Sequence, residues 1–443
     1  VTNPLKPKKL IEGFGDTTVR GQSQRHANQV HSAFGWQEGR RAFVVMNDDE
    51  EYPDVDILEI TNPSKPKLIA EYDLRTHSEQ ARGAVNGDAV FLHDMVVKKI
   101  DGRQIMLLSY WDGGYIQMDV TDPANATVVG DTDYAATDPL QPTFTPEGNA
   151  HQAEFTRDNQ HFIATDEDFD PYRVTATLVD GPYAGRRATA TQGSGTPQID
   201  EQTDLSGGTR AVGLACPGGM IPAPDSTHTI AVIERGVCDF TAKIATVEEA
   251  GYDAAIVFNR TGVDGCEALI NMLADGGIPA LFVSRTDGFR ILGASLHDYT
   301  CSDGEAASGT TAPAAGTDGA TVDLGAVFDG WGYVHLFDAD TFADLDQYAI
   351  PESQDPDFAD GFGDLSVHEV ATDPDEDLAY LSYYTGGLRV LEYASGELVE
   401  VGAFIAEGGN NFWGVEVHKH PNGQKYILAS DRDSGLWIFQ YKP

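Results

Sequence analysis

Four histidines and a glutamate open equivalent stretches of this chain: His31, His93, His151, His368 and Glu416. The stretches read HSAFGWQEGRRAFVVMNDDE, HDMVVKKIDGRQIMLLSYWDGG, HQAEFTRDNQHFIATDEDF and HEVATDPDEDLAYLSYYTGG. A fifth, EVHKHPNGQKYILASDRDSG, fits the frame with Glu416 in place of the histidine. Neutral imidazoles with one carboxylate suit Zn²⁺, Fe²⁺, Mn²⁺ or Cu²⁺, whereas Ca²⁺ prefers oxygen. All of them together would crowd one ion, so a subset binds and water keeps a position open. Glu416 is then a ligand or a general base. The competing reading is inherited architecture, with each histidine hydrogen-bonded inside its own repeat. The exchange of His for Glu, one ligand type for another, favours the metal.

A donor repeated once per unit is useful only if the fold returns it to one place. Each copy runs through a short apolar strand, a polar turn and a second apolar strand ending at Asn47, Ser109, Thr165 or Ser382. Third strands follow to Ile60, Val120, Asp338, Tyr393 and Tyr441, and in two copies an Asn/Asp-Pro turn leads to a fourth. Runs rich in Val, Ile, Leu, Tyr and Phe between Gly, Pro, Asn and Asp are strand and hairpin signals. Four antiparallel strands per repeat make a β-propeller blade, and the count is five. The innermost strand of a blade lines the axis, so a residue opening that strand faces a shared central cavity. Residues 1–12 (VTNPLKPKKLIE) nearly copy 60–71 (ITNPSKPKLIAE), the outer strand of a blade. They are expected to complete the last blade and so remove an open sheet edge. The third copy breaks off near Phe169 and resumes near Trp331, which places a separate domain in its hairpin. The expected class is mainly β: a five-bladed propeller over residues 1–169 and 328–443, with an α/β domain, 170–327, inserted in the third blade.

The opening His, the GGLRVLE third strand and the D-x-T/S-x-P turn resemble the LVIVD-repeat family of secreted propellers, which implies a fold and little about activity. Between 170 and 327 the composition shifts to Ala, Gly, Thr and Asp, and the core reads TIAVIERGVCDFTAKIATVEEAGYDAAIVFN. A strand ending at Glu234, an Arg-Gly turn, a helix from Phe240 to Ala250 stopped by Gly251, and buried strands at 254–258 and 280–283 are expected. Arg235, Gly236, Cys238, Phe240, Lys243, Ala250, Gly251, Ile256 and Asn259 fit the ordered motif of a protease-associated (PA) domain. The resemblance implies a lid or interaction module without catalytic residues of its own. A partner peptidase is not visible: no H-E-x-x-H and no G-x-S-x-G is present.

The formal charge of −41, from 70 acidic and 29 basic residues, excludes a generic nucleic-acid or anionic-membrane binder. It fits a salt-adapted surface, calcium loading or a cationic ligand. Calcium candidates are Asn47–Glu51 with Asp54 and Asp56, and Asp166–Asp168 with Asp170, though neither has EF-hand spacing. The four cysteines lie in the inserted segment and suggest two disulfides, Cys216–Cys238 and Cys266–Cys301 being one of three pairings. Paired cysteines point to an extracellular or cell-surface protein, and no run approaches the apolar length of a membrane span. Asn125 and Asn259 open glycosylation sequons. Asp94, Gln152 and Glu369 follow three of the histidines and face the other way in an extended strand. His26 could approach the axis, and Trp111, Tyr384 and Trp413 could wall a central pocket. The partner class is a small molecule, peptide or glycan at the axis. The two functional readings are a metal-dependent hydrolase or oxidase, and a non-catalytic ligand-binding or adhesion protein.

Overall fold

The computed structural model describes residues 5–11, 30–48, 53–74, 90–132, 140, 148–261, 269–270, 272–294, 301–302, 305–306, 312–359 and 361–442. The chain divides into two units, and the inserted one spans Tyr172–Asp329. The other unit holds five antiparallel sheets in a β-propeller arrangement.

Each blade is a meander whose order follows the sequence. The first is Ala33–Glu38, Arg41–Asn47, Val55–Glu59 and Lys67–Tyr72; the second is Asp94–Ile100, Arg103–Ser109, Tyr115–Asp119 and Thr127–Asp131. The third takes two strands from each side of the insertion, Ala150–Phe155 and His161–Asp166, then Val334–Asp338 and Asp344–Tyr348. The fourth is Glu369–Thr372, Leu378–Ser382, Leu388–Glu392 and Val399–Phe404. The fifth has three strands, Phe412–Lys419, Lys425–Asp431 and Gly435–Phe439. Residues 5–11 are assigned no strand, and the remaining residues of the expected closing segment, 1–4 and 12, lie outside the described residues.

The middle strands carry apolar residues on both faces because each blade packs on two neighbours. Met106 and Leu108 point into one buried cluster with Ile57 and Met118, while Ile105 and Leu107 point into another with Phe155 and Phe337. Sheet-on-sheet packing of this kind removes apolar area from water at ~25 cal/mol per Å² and dominates the stability of such folds.

The inserted unit is built on an eight-stranded sheet with the helices Phe240–Glu249 and Arg285–Ile291. Strands His228–Glu234, Ala254–Phe258 and Ala280–Val283 are parallel neighbours and nearly all apolar, as a strand covered on both faces must be. Gly251, at φ 95°, ends the first helix, and its N–H donates to Glu248 O at 2.9 Å. Cys216 and Cys238 form a disulfide. The proposed Cys266 partner lies outside the described residues.

Candidate metal centre on the propeller axis

The residue ending each second strand positions the histidines. Asn47 Oδ1 accepts from the N–H groups of His31 and Ser32, both at 2.8 Å, and the Asn47 amide donates to Leu92 O in the next blade. Thr165 Oγ1 donates to His368 O at 2.9 Å, and Ser382 Oγ to Trp413 O at 2.8 Å. A short polar side chain at this point therefore clips the axial segment of the following blade. The residues after the histidines add a second set of clips. Gln152 Oε1 accepts from Val370 N–H and Glu369 Oε2 from Val415 N–H, at 3.0 and 3.2 Å. Strand alternation turns these side chains to the face opposite the imidazoles, with Glu369 Oε1 3.9 Å from His368 Nδ1.

The four histidines meet in a row. Ring centroids are 4.4 Å apart for His31–His93, 4.2 Å for His93–His151 and 4.0 Å for His151–His368. Glu416 does not continue the row. In the fifth blade Gly414 faces Ser430, as Glu369 faces Ser382 and Asp94 faces Ser109. The residue at the histidine position is thus Trp413, with its ring 4.7 Å from His368. Glu416 falls three residues further along, at the position Glu154 takes in the third blade, and is largely exposed. The sequence frame slid because the fifth copy lacks a histidine to mark its phase.

Glu369 Oε1 stands 3.9 Å from His368 Nδ1, and among the described residues the carboxylate nearest the row is Glu167. Its Oε2 lies 3.3 Å from His151 Nε2, its Oε1 lies 3.7 Å from His368 Nε2, and Tyr384 donates its hydroxyl to Oε1. Ligand atoms of His93, His151 and Glu167 all lie within 4.8 Å of one another, and all three residues are buried. Two donors each about 2.1 Å from a tetrahedral ion sit about 3.4 Å apart, close to the His151–Glu167 spacing. His93 Nδ1 rests on His151 O at 3.2 Å. That contact places the proton on Nδ1 and leaves Nε2 as an acceptor, the arrangement common for metal-binding histidines. Among the described residues, the Nδ1 atoms of His151 and His368 are buried with no hydrogen bond of normal geometry.

Burial sets the electrostatics. It pushes His93 down to about 4 and His368 down to about 3, and drives His151 well below the usual imidazole value, with repulsion from neighbouring histidines adding to each. Burial also raises Glu167 to about 7, against the Tyr384 hydroxyl and the Arg432 charge that favour its ionised form. At neutral pH the imidazoles are neutral, the state in which they ligate metals.

Glu167 is visible in the sequence only once the copies are aligned by the ends of their second strands. Trp111, Glu167, Tyr384 and Arg432 each stand two residues past Ser109, Thr165, Ser382 and Ser430. Read as part of an acidic run, Asp166–Asp168 suggests calcium, but its members diverge. Asp166 binds His335 and Tyr115, Glu167 faces the axis, and Asp168 accepts from Asp170 N–H. In the other acidic loop Asp54 is buried, accepts from Leu92 N–H and takes the Tyr110 hydroxyl, while 49–52 lie outside the described residues. His26 also lies outside them, and His418 and His420 are exposed.

The fold and site define a five-bladed propeller that carries a second domain in its third blade and a group of buried metal-capable donors. Residues 174–291 match the PA domain family. The E3 ubiquitin-protein ligase Godzilla of Drosophila melanogaster is 35% identical over 65 residues, which are 15% of this chain and 12% of that protein's length. Among solved structures, a zinc aminopeptidase from Bacillus subtilis is 19% identical, covering 39% of this chain and 35% of its own at a TM-score of 0.23. The β-propeller domain of Myceliophteria thermophila Cps50 (Swd1) is 10% identical, covering 94% of this chain and 85% of its own at a TM-score of 0.34. Among the described residues, no helix is long and apolar enough to cross a membrane.

Proposed function

We propose that the axial group is a divalent transition-metal site with His93, His151 and Glu167 as ligands and His368 beside them. The supporting observation is the convergence of three buried donors within 4.8 Å. Two imidazoles and a carboxylate match the donor sets of zinc hydrolases and of non-haem iron oxygenases, so Zn²⁺, Fe²⁺, Mn²⁺ and Cu²⁺ are the candidate ions. A bound ion would activate water or dioxygen, or polarise a carbonyl, at a position the protein leaves open. Tyr384 holds the Glu167 carboxylate toward the imidazoles, and burial keeps those imidazoles unprotonated. On this reading the protein is an extracellular LVIVD-type propeller acting as a metal-dependent hydrolase or oxidase, with its PA domain as an interaction module. Glu416 keeps a place in the proposal only as an axial carboxylate away from the donors.

A second reading, a non-catalytic ligand-binding or adhesion propeller, draws on one observation: His93 Nδ1 contacts the next blade's carbonyl, which a purely architectural histidine would also do. Elemental analysis of the purified full chain separates the two. Stoichiometric transition metal that is lost in a folded His93→Ala/His151→Ala variant supports the metal centre. A wild-type protein that takes up none of the four ions on dialysis overturns it.

A further inference from the structure

The repeat position that supplies Glu167 supplies other chemistry in the neighbouring blades. Arg432 is the fifth-blade equivalent, exposed, with its guanidinium carbon 6.0 Å from the centre of the Tyr384 ring. Its positive charge reaches Glu167, Tyr384 and His368. Its sequence neighbour Asp431 is instead committed to the N–H groups of Asn411, Asp433 and Ser434. Among the described residues Arg432 makes no ion pair, in a chain with 70 acidic and only 29 basic residues. An uncommitted guanidinium beside a donor cluster is a receptor for a planar anion.

Two partly exposed aromatic rings border the same residues. Phe169, 50% exposed, lies 5.7 Å from Tyr384, and Trp413, 45% exposed, lies 4.7 Å from His368. Tyr384 and its second-blade equivalent Trp111 are both held at positive φ, 39° and 45°. For a residue with a Cβ that conformation costs on the order of 1–2 kcal/mol, and such outliers concentrate at ligand sites. Large aromatic faces left in water forgo burial that a flat apolar partner would supply.

We propose that the axial site takes a small aromatic carboxylate, with its carboxylate on Arg432 and its ring against Phe169 and Trp413. The proposal rests on the axial cluster being the functional site. A singly charged group fits better than a phosphate, because one guanidinium must offset it while Asp364 and Glu167 lie nearby.

The test is calorimetric titration of the full chain, both zinc-loaded and stripped with chelator, using benzoate, benzamide, cyclohexanecarboxylate and phenyl phosphate. Benzoate should bind about tenfold more tightly than neutral benzamide, the worth of a charge-assisted contact. It should also exceed cyclohexanecarboxylate, by about threefold or more. Arg432→Gln should erase the first ratio, and Phe169→Leu, folded by circular dichroism, the second. Equal affinity of wild type for benzoate and benzamide, or an Arg432→Gln variant that keeps the preference, overturns the proposal. Tighter phenyl phosphate overturns its carboxylate half. Zinc content is measured separately, so zinc bound without ligand discrimination sinks this inference alone. Discrimination by a wild type that takes up none of the four candidate ions on dialysis sinks the metal reading and leaves this one standing.

Discussion

Two adjacent residues, Asp166 and Glu167, each meet a buried histidine, and the two encounters come out oppositely. Asp166 Oδ2 lies 2.6 Å from His335 Nε2, and Asp344 takes the other ring nitrogen at 3.0 Å. Burial works against a charge on His335, but the two carboxylates outweigh it and raise the group to about 10. Glu167 lies 3.3 Å from His151, a longer contact, and His151 is flanked by His93 and His368. With one carboxylate, itself raised toward neutrality, and two imidazole neighbours, His151 stays unprotonated. The number and closeness of acids around an imidazole decide whether it becomes a structural cation or an available ligand. Asp166 ends the strand with its carboxylate on His335 of the third strand and Tyr115 of the second blade, while Glu167 lies past the strand end and faces the axis.

The contrast can be broken most forcefully at Asp166. Asp166→Asn leaves His335 with one carboxylate in a buried site and should lower propeller stability by about 3–5 kcal/mol in urea unfolding at neutral pH. Glu167→Gln should cost about 1 kcal/mol or less in the same assay yet remove metal uptake. Equal stability losses for the two would erase the distinction. In the inserted unit, Cys216→Ser with Cys238→Ser opens a loop of sequence separation 22. It should destabilise that unit alone by about 3 kcal/mol, seen as one shifted transition in calorimetry.

Smaller effects sharpen the comparison. Tyr384→Phe frees the Glu167 carboxylate and should weaken metal binding by about 10- to 100-fold without unfolding the protein, measured by competition with a chromogenic chelator. The pH dependence of stability should differ in sign between the two sites. His335 gains a proton on folding. Its contribution is complete below about 6.5 and is lost as pH rises through about 10. His93 and His368 resist protonation when folded. Their contribution is complete above about 6.5 and is lost as pH falls toward about 4 and about 3. Asp166→Asn should flatten the alkaline limb of the stability profile and leave the acid limb in place. An unchanged alkaline limb would count against the His335 assignment.

Much of this is legible in the sequence alone. The period of apolar strands fixed five blades, because each blade must bury two faces and so writes the same alternation each time. The shift at 170 exposed the insertion, and the motif around Arg235 and Cys238 marked its family. Four of the five axial candidates, His31, His93, His151 and His368, do come together. Glu416 did not, since a one-dimensional frame without its histidine has no phase, whereas the pairing of Gly414 with Ser430 does. His335 carried no sequence signal: its nearer acid, Asp344, lies across a strand turn, and Asp166 lies on the far side of the insertion.

By itself the sequence determined what recurs: the strands, the imidazole opening four of the five inner strands, and the short polar residue near the end of each second strand. Those are local and periodic, so a single chain states them openly. Only the tertiary structure decided which acid serves which histidine. Neighbours such as Asp166 and Glu167 differ by one peptide unit in the sequence but by opposite faces at the end of a strand. Whether an imidazole there is a cation or a free donor depends on burial and on charges brought from other blades. No spacing along the chain records that.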